Sequence, residues 1–257
     1  MILIDTHTHL YLNAFDDDRD IMVERAIASG VKYMFLPNID ASSMGGMHAL
    51  SERFPENCFP MMGLHPTSVK ENFLKELDLV EKLLEERTYY AVGECGIDLY
   101  WDKSFYREQL VAFNKQIDLA LEHGLPLVIH ARESFTEIFR VLENRDIKGL
   151  EGVFHCFTGT LEEAERAIGL GFMLGIGGVL TYKNSGLDKV VEALGTDHLI
   201  LETDAPFLPP VPHRGKRNES AYVIHVADKL AEVLDTTSAA VAEATTRNAS
   251  QLFNLNI

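Results

Sequence analysis

Residues 117–132 read Ile117-Asp118-Leu119-Ala120-Leu121-Glu122-His123-Gly124-Leu125-Pro126-Leu127-Val128-Ile129-His130-Ala131-Arg132. A helical pattern runs to His123, a glycine closes it, and a short apolar run follows at once and ends on polar residues. Glycine most easily takes the left-handed conformation that ends a helix, and a short apolar run without alternation is how a parallel strand buried on both faces reads. The unit recurs at Ser29-Gly30 before Val31 to Pro37 and at Gly171 before Phe172 to Leu174. Working outward, candidate strands fall near 2–6, 31–36, 59–63, 89–93, 126–130, 151–155, 172–176 and 198–202. Helix-like segments separate them, the clearest at 71–86, 105–122, 161–170 and 221–234, with apolar residues at three- and four-residue spacing. Thr160 with Glu162 and Glu163 behind it reads as a helix N-cap with acids in the first turn. The acidic run from Asp16 to Asp20 opens another helical pattern. Eight strand–helix repeats in 257 residues, near the ~250 typical of the architecture, favour one α/β domain over residues 1–257, a (β/α)₈ TIM-type barrel, over a doubly wound open sheet.

Composition narrows the function. Lys plus Arg total 23 against 39 Asp plus Glu, a formal net charge of −16, which disfavours non-specific attraction to a polyanion. Bound divalent cations and a local basic cluster can reverse the potential at a site within an acidic protein. Cys58, Cys95 and Cys156 are an odd number without C-x-x-C spacing, so neither a disulfide framework nor a zinc ribbon is indicated, and a reducing cytoplasm is expected. No run approaches the ~18 apolar residues of a membrane span, and the polar N-terminus does not read as a signal peptide. A soluble protein is expected, with no membrane association and nothing that points to an obligate protein partner.

Active sites of such barrels gather at the C-terminal ends of the strands, and here those ends are polar. The runs end in Asp5-Thr6-His7-Thr8-His9, Gly63-Leu64-His65-Pro66, Gly93-Glu94-Cys95-Gly96, His130-Ala131-Arg132, His155-Cys156-Phe157 and Glu202-Thr203-Asp204. Residues two apart on an extended strand point the same way, so His7 and His9 can hold one metal. Alone, His-x-His is equally a satisfied polar pair, His130 and His155 are each more often structural, and Glu94 and Asp204 each read as a cap or an ion-pair partner. Six nitrogen or carboxylate donors at five strand ends are hard to produce from structural needs. Imidazole with carboxylate suits zinc, manganese or iron, and two such ions can share a bridging carboxylate.

These segments resemble the TatD family of metal-dependent deoxyribonucleases, within the amidohydrolase superfamily, almost from end to end. D-x-H-x-H, G-L-H-P, G-E-C-G-I-D, H-x-R, H-C-F-T-G, E-T-D-A-P and K-R-N-E occur in family order. The resemblance implies that His7, His9 and Asp204 hold one ion, that His130 and His155 hold a second, and that Glu94 bridges. The two divalent ions would be zinc, manganese or magnesium. It also implies action on DNA, as a 3′–5′ exonuclease preferring single-stranded ends, and leaves the choice between DNA and RNA open. Glu133 stands where aspartate commonly follows H-x-R, and Ser220 where proline commonly follows R-N-E. The first is expected to alter how Arg132 is oriented, the second to loosen the loop after strand eight.

Phosphodiester hydrolysis needs charge neutralisation, a nucleophile at neutral pH and a stabilised leaving oxygen, all of which a metal pair supplies. Asp204 is the candidate general base. Glu202 is either support for a ligand histidine or a buried ion-pair partner. His65 either contacts phosphate or the leaving group, or caps the turn at Pro66. Arg132, Lys183, Lys216 and Arg217 are the candidate phosphate contacts, and Tyr182 is either a stacking platform or packing. Cys95 and Cys156, next to proposed ligands, should by alternation point into the barrel wall. Two rivals stand beside this reading: a hydrolase of another ester, amide or lactone on the same site, such as an aminoacyl-tRNA deacylase, and a non-enzymatic metal or nucleic-acid binding module.

Overall fold

In a computed structural model that describes residues 1–255, Gly124 closes its helix in the left-handed region, at φ 61°, and the chain turns directly into a strand. Repetition of that step gives eight strands and nine α-helices among the described residues. In chain order they are β1 (Leu3–Asp5), α1 (Arg19–Ala28), β2 (Val31–Pro37), α2 (Ala41–Arg53), β3 (Cys58–Met61), α3 (Phe73–Glu86), β4 (Val92–Asp98), α4 (Tyr106–His123), β5 (Leu127–Arg132), α5 (Phe135–Glu143), β6 (Gly152–Phe154), α6 (Leu161–Gly169), β7 (Phe172–Ile176), α7 (Leu187–Leu194), β8 (Leu199–Leu201), α8 (Val223–Val233) and α9 (Ser238–Leu252). Thr160 caps α6 in a reciprocal capping box with Glu163, which satisfies two of the amide groups a helix start leaves open.

Each strand pairs in parallel with its neighbours in sequence, from β1 to β3 and from β4 to β8. Two seams join these ladders. Met62 bridges Val92, with the Met62 N–H donating to Ala91 O (3.1 Å) and the Gly93 N–H to Met62 O (2.9 Å). On the other side Thr8 bridges Ala205, and the N–H groups of Thr6, Asp204 and His9 donate to Leu201, His7 and Ala205 carbonyls at 3.0, 2.9 and 2.7 Å. The sheet is therefore a closed barrel with helices outside.

Side chains fill the barrel from its N-terminal end. Ile4, Tyr33, Phe35, Phe59, Met61, Ala91, Val128, Val153 and Ile200 form one interior cluster, plugged by Leu252 and Phe253 from the end of α9. Phe253 stacks on Phe35 with ring centroids 4.1 Å apart. Asn248 holds α9 in place by donating to the Thr196 and Leu199 carbonyls (2.7 and 2.8 Å). Alternation then sends the next inward positions to the open end, so that Val128 is followed by His130, Val153 by His155 and Ile200 by Glu202.

Strand four departs from the sequence expectation. It spans Val92–Asp98 instead of 89–93, so Glu94 lies within the strand. Tyr90, expected to be in that strand, packs its ring against Phe59 (4.6 Å between centroids) beneath the interior floor. The register with β5 shifts between Val92 and Cys95, an irregularity that re-aims side chains beside a site. Ala91 and Glu94 thereby both face inward, which strict alternation forbids. Gly96 permits the close approach: at φ 138° a Cβ there would lie 2.2 Å from His130 O.

Candidate metal centre

Five imidazoles (His7, His9, His65, His130, His155) and the carboxylates of Glu94 and Asp204 converge at the C-terminal mouth of the barrel, in an open cleft of about 680 Å³. Glu94 sits at their centre, 2 % exposed. Its two oxygens face different groups. Oε2 lies 3.1 Å from His7 Nε2 and 3.7 Å from His9 Nε2, and Asp204 Oδ1 completes that side at 3.8 and 3.5 Å from the same nitrogens. Oε1 lies 2.8 Å from both His130 Nδ1 and His155 Nε2, and 3.2 Å from His65 Nε2.

Neighbouring groups fix which ring nitrogen carries the proton. Tyr11 donates its only hydroxyl proton to Pro37 O, so at 2.8 Å it accepts one from His9 Nδ1–H, leaving a lone pair at His9 Nε2. His130 likewise directs Nε2–H at Asp98 Oδ2 (2.9 Å), which frees Nδ1 toward Glu94. His155 Nδ1 faces Glu202 Oε1 at 3.4 Å without a hydrogen bond, and its Nε2 faces Glu94. His65 is held the opposite way: its Nδ1 accepts the Thr67 N–H (3.1 Å), so the neutral ring carries its proton on Nε2, inside the cleft. Burial lowers its pKa, against the attraction of Glu94, and favours that neutral form. One ring nitrogen thus caps the turn, and the other faces Glu94 inside the cleft.

The charges are deeply buried. Burial alone would raise the Glu94 carboxyl, but His155, His65 and His7 hold it well below its usual range. Asp204 is likewise kept low against its burial by the His9 hydrogen bond and by His155 and His7. His155, which burial would push down, is raised well above its usual value by Glu94 and Glu202. His7 is lowered by burial and by His155, whose ring stacks on it at 3.8 Å. Three nitrogens share Glu94 Oε1, His7 and His9 Nε2 approach to 3.3 Å, and His7 Nδ1 is buried without a partner. Hydrogen bonding alone cannot satisfy such a set, whereas lone pairs of imidazole and carboxylate aimed at common points are a donor set for divalent cations.

Residues behind this layer hold it in position. Asp5 is fully buried and accepts the Thr203 N–H (2.8 Å) and hydroxyl (2.6 Å), tying the exit of β1, which carries His7, to the exit of β8, which carries Asp204. Burial pushes its carboxyl up to about 7, against the hydrogen bonds from Thr203. Glu202 accepts the Cys156 N–H (2.6 Å) beside His155. Gly175 leaves the room, since a Cβ there would lie 2.2 Å from Glu202 Oε2. Tyr11, Asp5 and Asp98 were given no role from the sequence. Asp5 and Asp98 lie within the quoted motifs, and Asp98 shares strand parity with Glu94. Nothing local marks Tyr11.

The substrate-facing expectations divide. Arg132 lines the cleft, its guanidinium 3.8 Å from the Tyr100 ring centroid and 5.3 Å from that of Trp101. Glu133, exposed at φ 53°, turns toward Lys103 (4.0 Å) and leaves Arg132 to the aromatics. Lys183 and Lys216 are exposed on the loops after β7 and β8, and neither lines the cleft. Arg217 departs from the phosphate-contact expectation: its guanidinium is taken up by Asp18 (2.8 and 2.6 Å) and Ala14 O (2.6 Å), pinning the loop to the start of α1. Tyr182 packs, its hydroxyl donating to Pro209 O (3.0 Å) and its face covered by Arg214. Ser220 is buried and donates to the Thr8 hydroxyl (3.2 Å), so this loop is tied where loosening was expected. Cys95 lies in the wall as expected, near Val128 O. Cys156 does not: at φ 46° it leaves strand geometry, and it lines the cleft.

The comparisons with known proteins agree with this geometry. The family model described as TatD related DNase matches residues 4–254. The chain belongs to the TatD family. It is 36 % identical over 256 residues to the uncharacterized metal-dependent hydrolase YabD of Bacillus subtilis (strain 168), covering 99 % of this chain and all of that one. It is 32 % identical over 259 residues to the 3′–5′ ssDNA/RNA exonuclease TatD of Erwinia tasmaniensis, covering 98 % of this chain and all of its relative. The crystal structure of YjjV, a TatD homologue from Escherichia coli K12, superposes with a TM-score of 0.92 at 31 % identity, covering 99 % and 98 % of the two chains. This TatD-family chain is thus a metal-dependent hydrolase with a TIM-barrel fold, and none of its described helices is long and apolar enough to cross a membrane.

Proposed function

We propose that this hydrolase cleaves phosphodiester bonds of DNA, working from the 3′ end of single strands, with RNA as a second substrate. The observation that carries the reading is the division of Glu94, whose Oε2 faces His7 and His9 while its Oε1 faces His65, His130 and His155, at the mouth of an open cleft. In this reading His7, His9 and Asp204 hold one divalent ion, His130 and His155 hold another, and Glu94 serves both. The 3′–5′ ssDNA/RNA exonuclease among the relatives supports a nucleic-acid substrate.

When bound, zinc, manganese or magnesium ions neutralise phosphodiester charge, lower the pKa of water and steady a departing oxygen. The chain's own residues do the rest. Asp204 is held ionised by the surrounding imidazoles and keeps its side chain 14 % exposed to the cleft, where it accepts a proton from the attacking water. His65 Nε2–H points into the same space as a donor to a phosphate or leaving oxygen. Glu202 positions His155, while Arg132, Lys183 and Lys216 supply positive charge for the substrate chain.

The test is digestion of 3′- and 5′-labelled single-stranded oligonucleotides by protein stripped with EDTA and reloaded with one metal at a time. The reading expects no cleavage after stripping, and recovery to different extents with manganese, zinc and magnesium. Full activity in stripped protein, or turnover confined to simple amides, lactones or aminoacyl esters, would overturn it.

A further inference from the structure

The cleft has two aromatic walls, one attached to each half of the metal centre. On one side Tyr100 and Trp101 follow β4, 47 % and 68 % exposed, with their rings edge to face at 4.9 Å. Their backbone N–H groups both donate to Asp98 Oδ1 at 3.0 Å, and the other oxygen of that carboxylate holds His130. Arg132, two residues beyond His130, lays its guanidinium over both rings. On the other side Phe207 is 50 % exposed, donates its N–H to Asp204 O (2.8 Å) and stands edge-on to the His9 ring (6.1 Å between centroids). Trp101, Arg132 and Phe207 all line the same cleft.

The geometry points to a nucleobase clamp: an unpaired base next to the scissile phosphate enters between the Trp101–Arg132 wall, backed by Tyr100, and Phe207 and is held by stacking. This deepens the nuclease reading and rests on it. Large aromatic faces left in water beside a polar site have little structural reason to be there, since the barrel core is filled without them. Each wall is indexed through a hydrogen bond to a metal-site element, so a stacked base would fix the distance between its own phosphate and Glu94. Charge alone gives a limited grip here, because the net charge is −16 and Arg217 is committed to Asp18. Stacking accepts any base, as an enzyme that degrades strands from an end requires, and losing it costs about 5- to 150-fold in affinity per base.

Trp101 is the only tryptophan in the chain, so indole fluorescence reports on this wall alone. The experiment titrates the metal-loaded protein with a phosphorothioate oligothymidylate, which resists hydrolysis, and with an abasic oligomer of equal length. Expected are fluorescence quenching by the first, binding by the second weaker by about 5- to 150-fold, and a shallow dependence of both on salt. Trp101→Ala and Phe207→Ala should raise KM for oligothymidylate by a similar factor with kcat little changed, and Trp101→Phe should restore it. Equal affinity for the two oligomers, or unchanged fluorescence at saturation, would overturn the clamp. The two readings fail separately: quenching by the base-bearing oligomer without hydrolysis of any natural phosphodiester removes the nuclease and keeps a base-binding cleft, whereas cleavage of normal and abasic strands alike removes the clamp and keeps the nuclease.

Discussion

The two ends of the barrel are made from alternate positions on the same strands, and they solve opposite problems. At the N-terminal end Val128, Val153 and Ile200 meet Phe35, Phe59 and the α9 plug in an apolar interior with no charge to satisfy. Two residues further along, His130, His155 and Glu202 enter a buried cluster of imidazoles and carboxylates. Every buried side-chain polar atom left without a partner among the described residues (His7 Nδ1, His155 Nδ1 and Glu202 Oε2) lies at this end. Unpaired buried polar groups cost free energy and apolar packing supplies it, so the floor holds the fold together and the mouth carries donors of the kind that bind metal at a cost in stability. Variants at the two ends should therefore separate activity from stability.

The largest effect is expected at the mouth. Asp204→Asn removes the proposed proton acceptor and should lower kcat by about 10²- to 10⁴-fold while leaving the thermal midpoint near that of the parent, and a matching loss of midpoint would erase the contrast between the ends. Next comes the floor: Phe35→Ala opens a cavity against Phe253 and should cost about 3–5 kcal/mol in a denaturant titration, with kcat per folded molecule retained. A third variant probes the link between packing and chemistry. Tyr11→Phe frees His9 Nδ1 from its acceptor and should weaken metal binding by about 10- to 100-fold with the fold unchanged, as isothermal titration of metal would show. The smallest effect is at the periphery, where Arg217→Ala should cost about 1 kcal/mol, because the pair with Asp18 is half-buried at the surface and partly screened by solvent and salt.

That last pair has a pH signature. Arg217 hydrogen bonds hold the Asp18 carboxyl below its ordinary value of 3.8 in the fold. A depressed folded-state pKa contributes stability that is present above 3.8 and lost as pH falls through the folded value. The parent and Arg217→Ala should therefore differ at neutral pH and converge in acid below pH 4. A gap that stays constant down to pH 2 would mean that the pair contributes nothing.

Much of this was legible in the residues because it rests on short-range rules. Glycine after a helix, unbroken apolar runs and polar strand ends locate the strands, and in β5, β6 and β8 simple alternation places His130, His155 and Glu202 on the inside. Legibility fails where the backbone breaks its period. The register irregularity in β4 brings Glu94 inward and moves the strand three residues later than its apolar run implies. Positive φ at Cys156 rotates a side chain out of the wall into the cleft. The pairing of Arg217 with Asp18 joins residues far apart in sequence, and so does the contact of Tyr11 with Pro37. A run of basic residues does not state which of its members are already engaged.

The central claim is that Glu94 serves two cation positions, and metal content tests it most directly. Parent, Glu94→Ala and His155→Ala should be loaded with manganese or zinc, freed of excess and analysed for bound metal, with circular dichroism to establish folding. The account predicts about two equivalents on the parent, marked loss at both positions in Glu94→Ala, and partial retention in His155→Ala, where mainly one position is affected. All three should remain folded, since the floor of the barrel is untouched. A folded Glu94→Ala that binds as much metal as the parent and cleaves single-stranded DNA normally would contradict it.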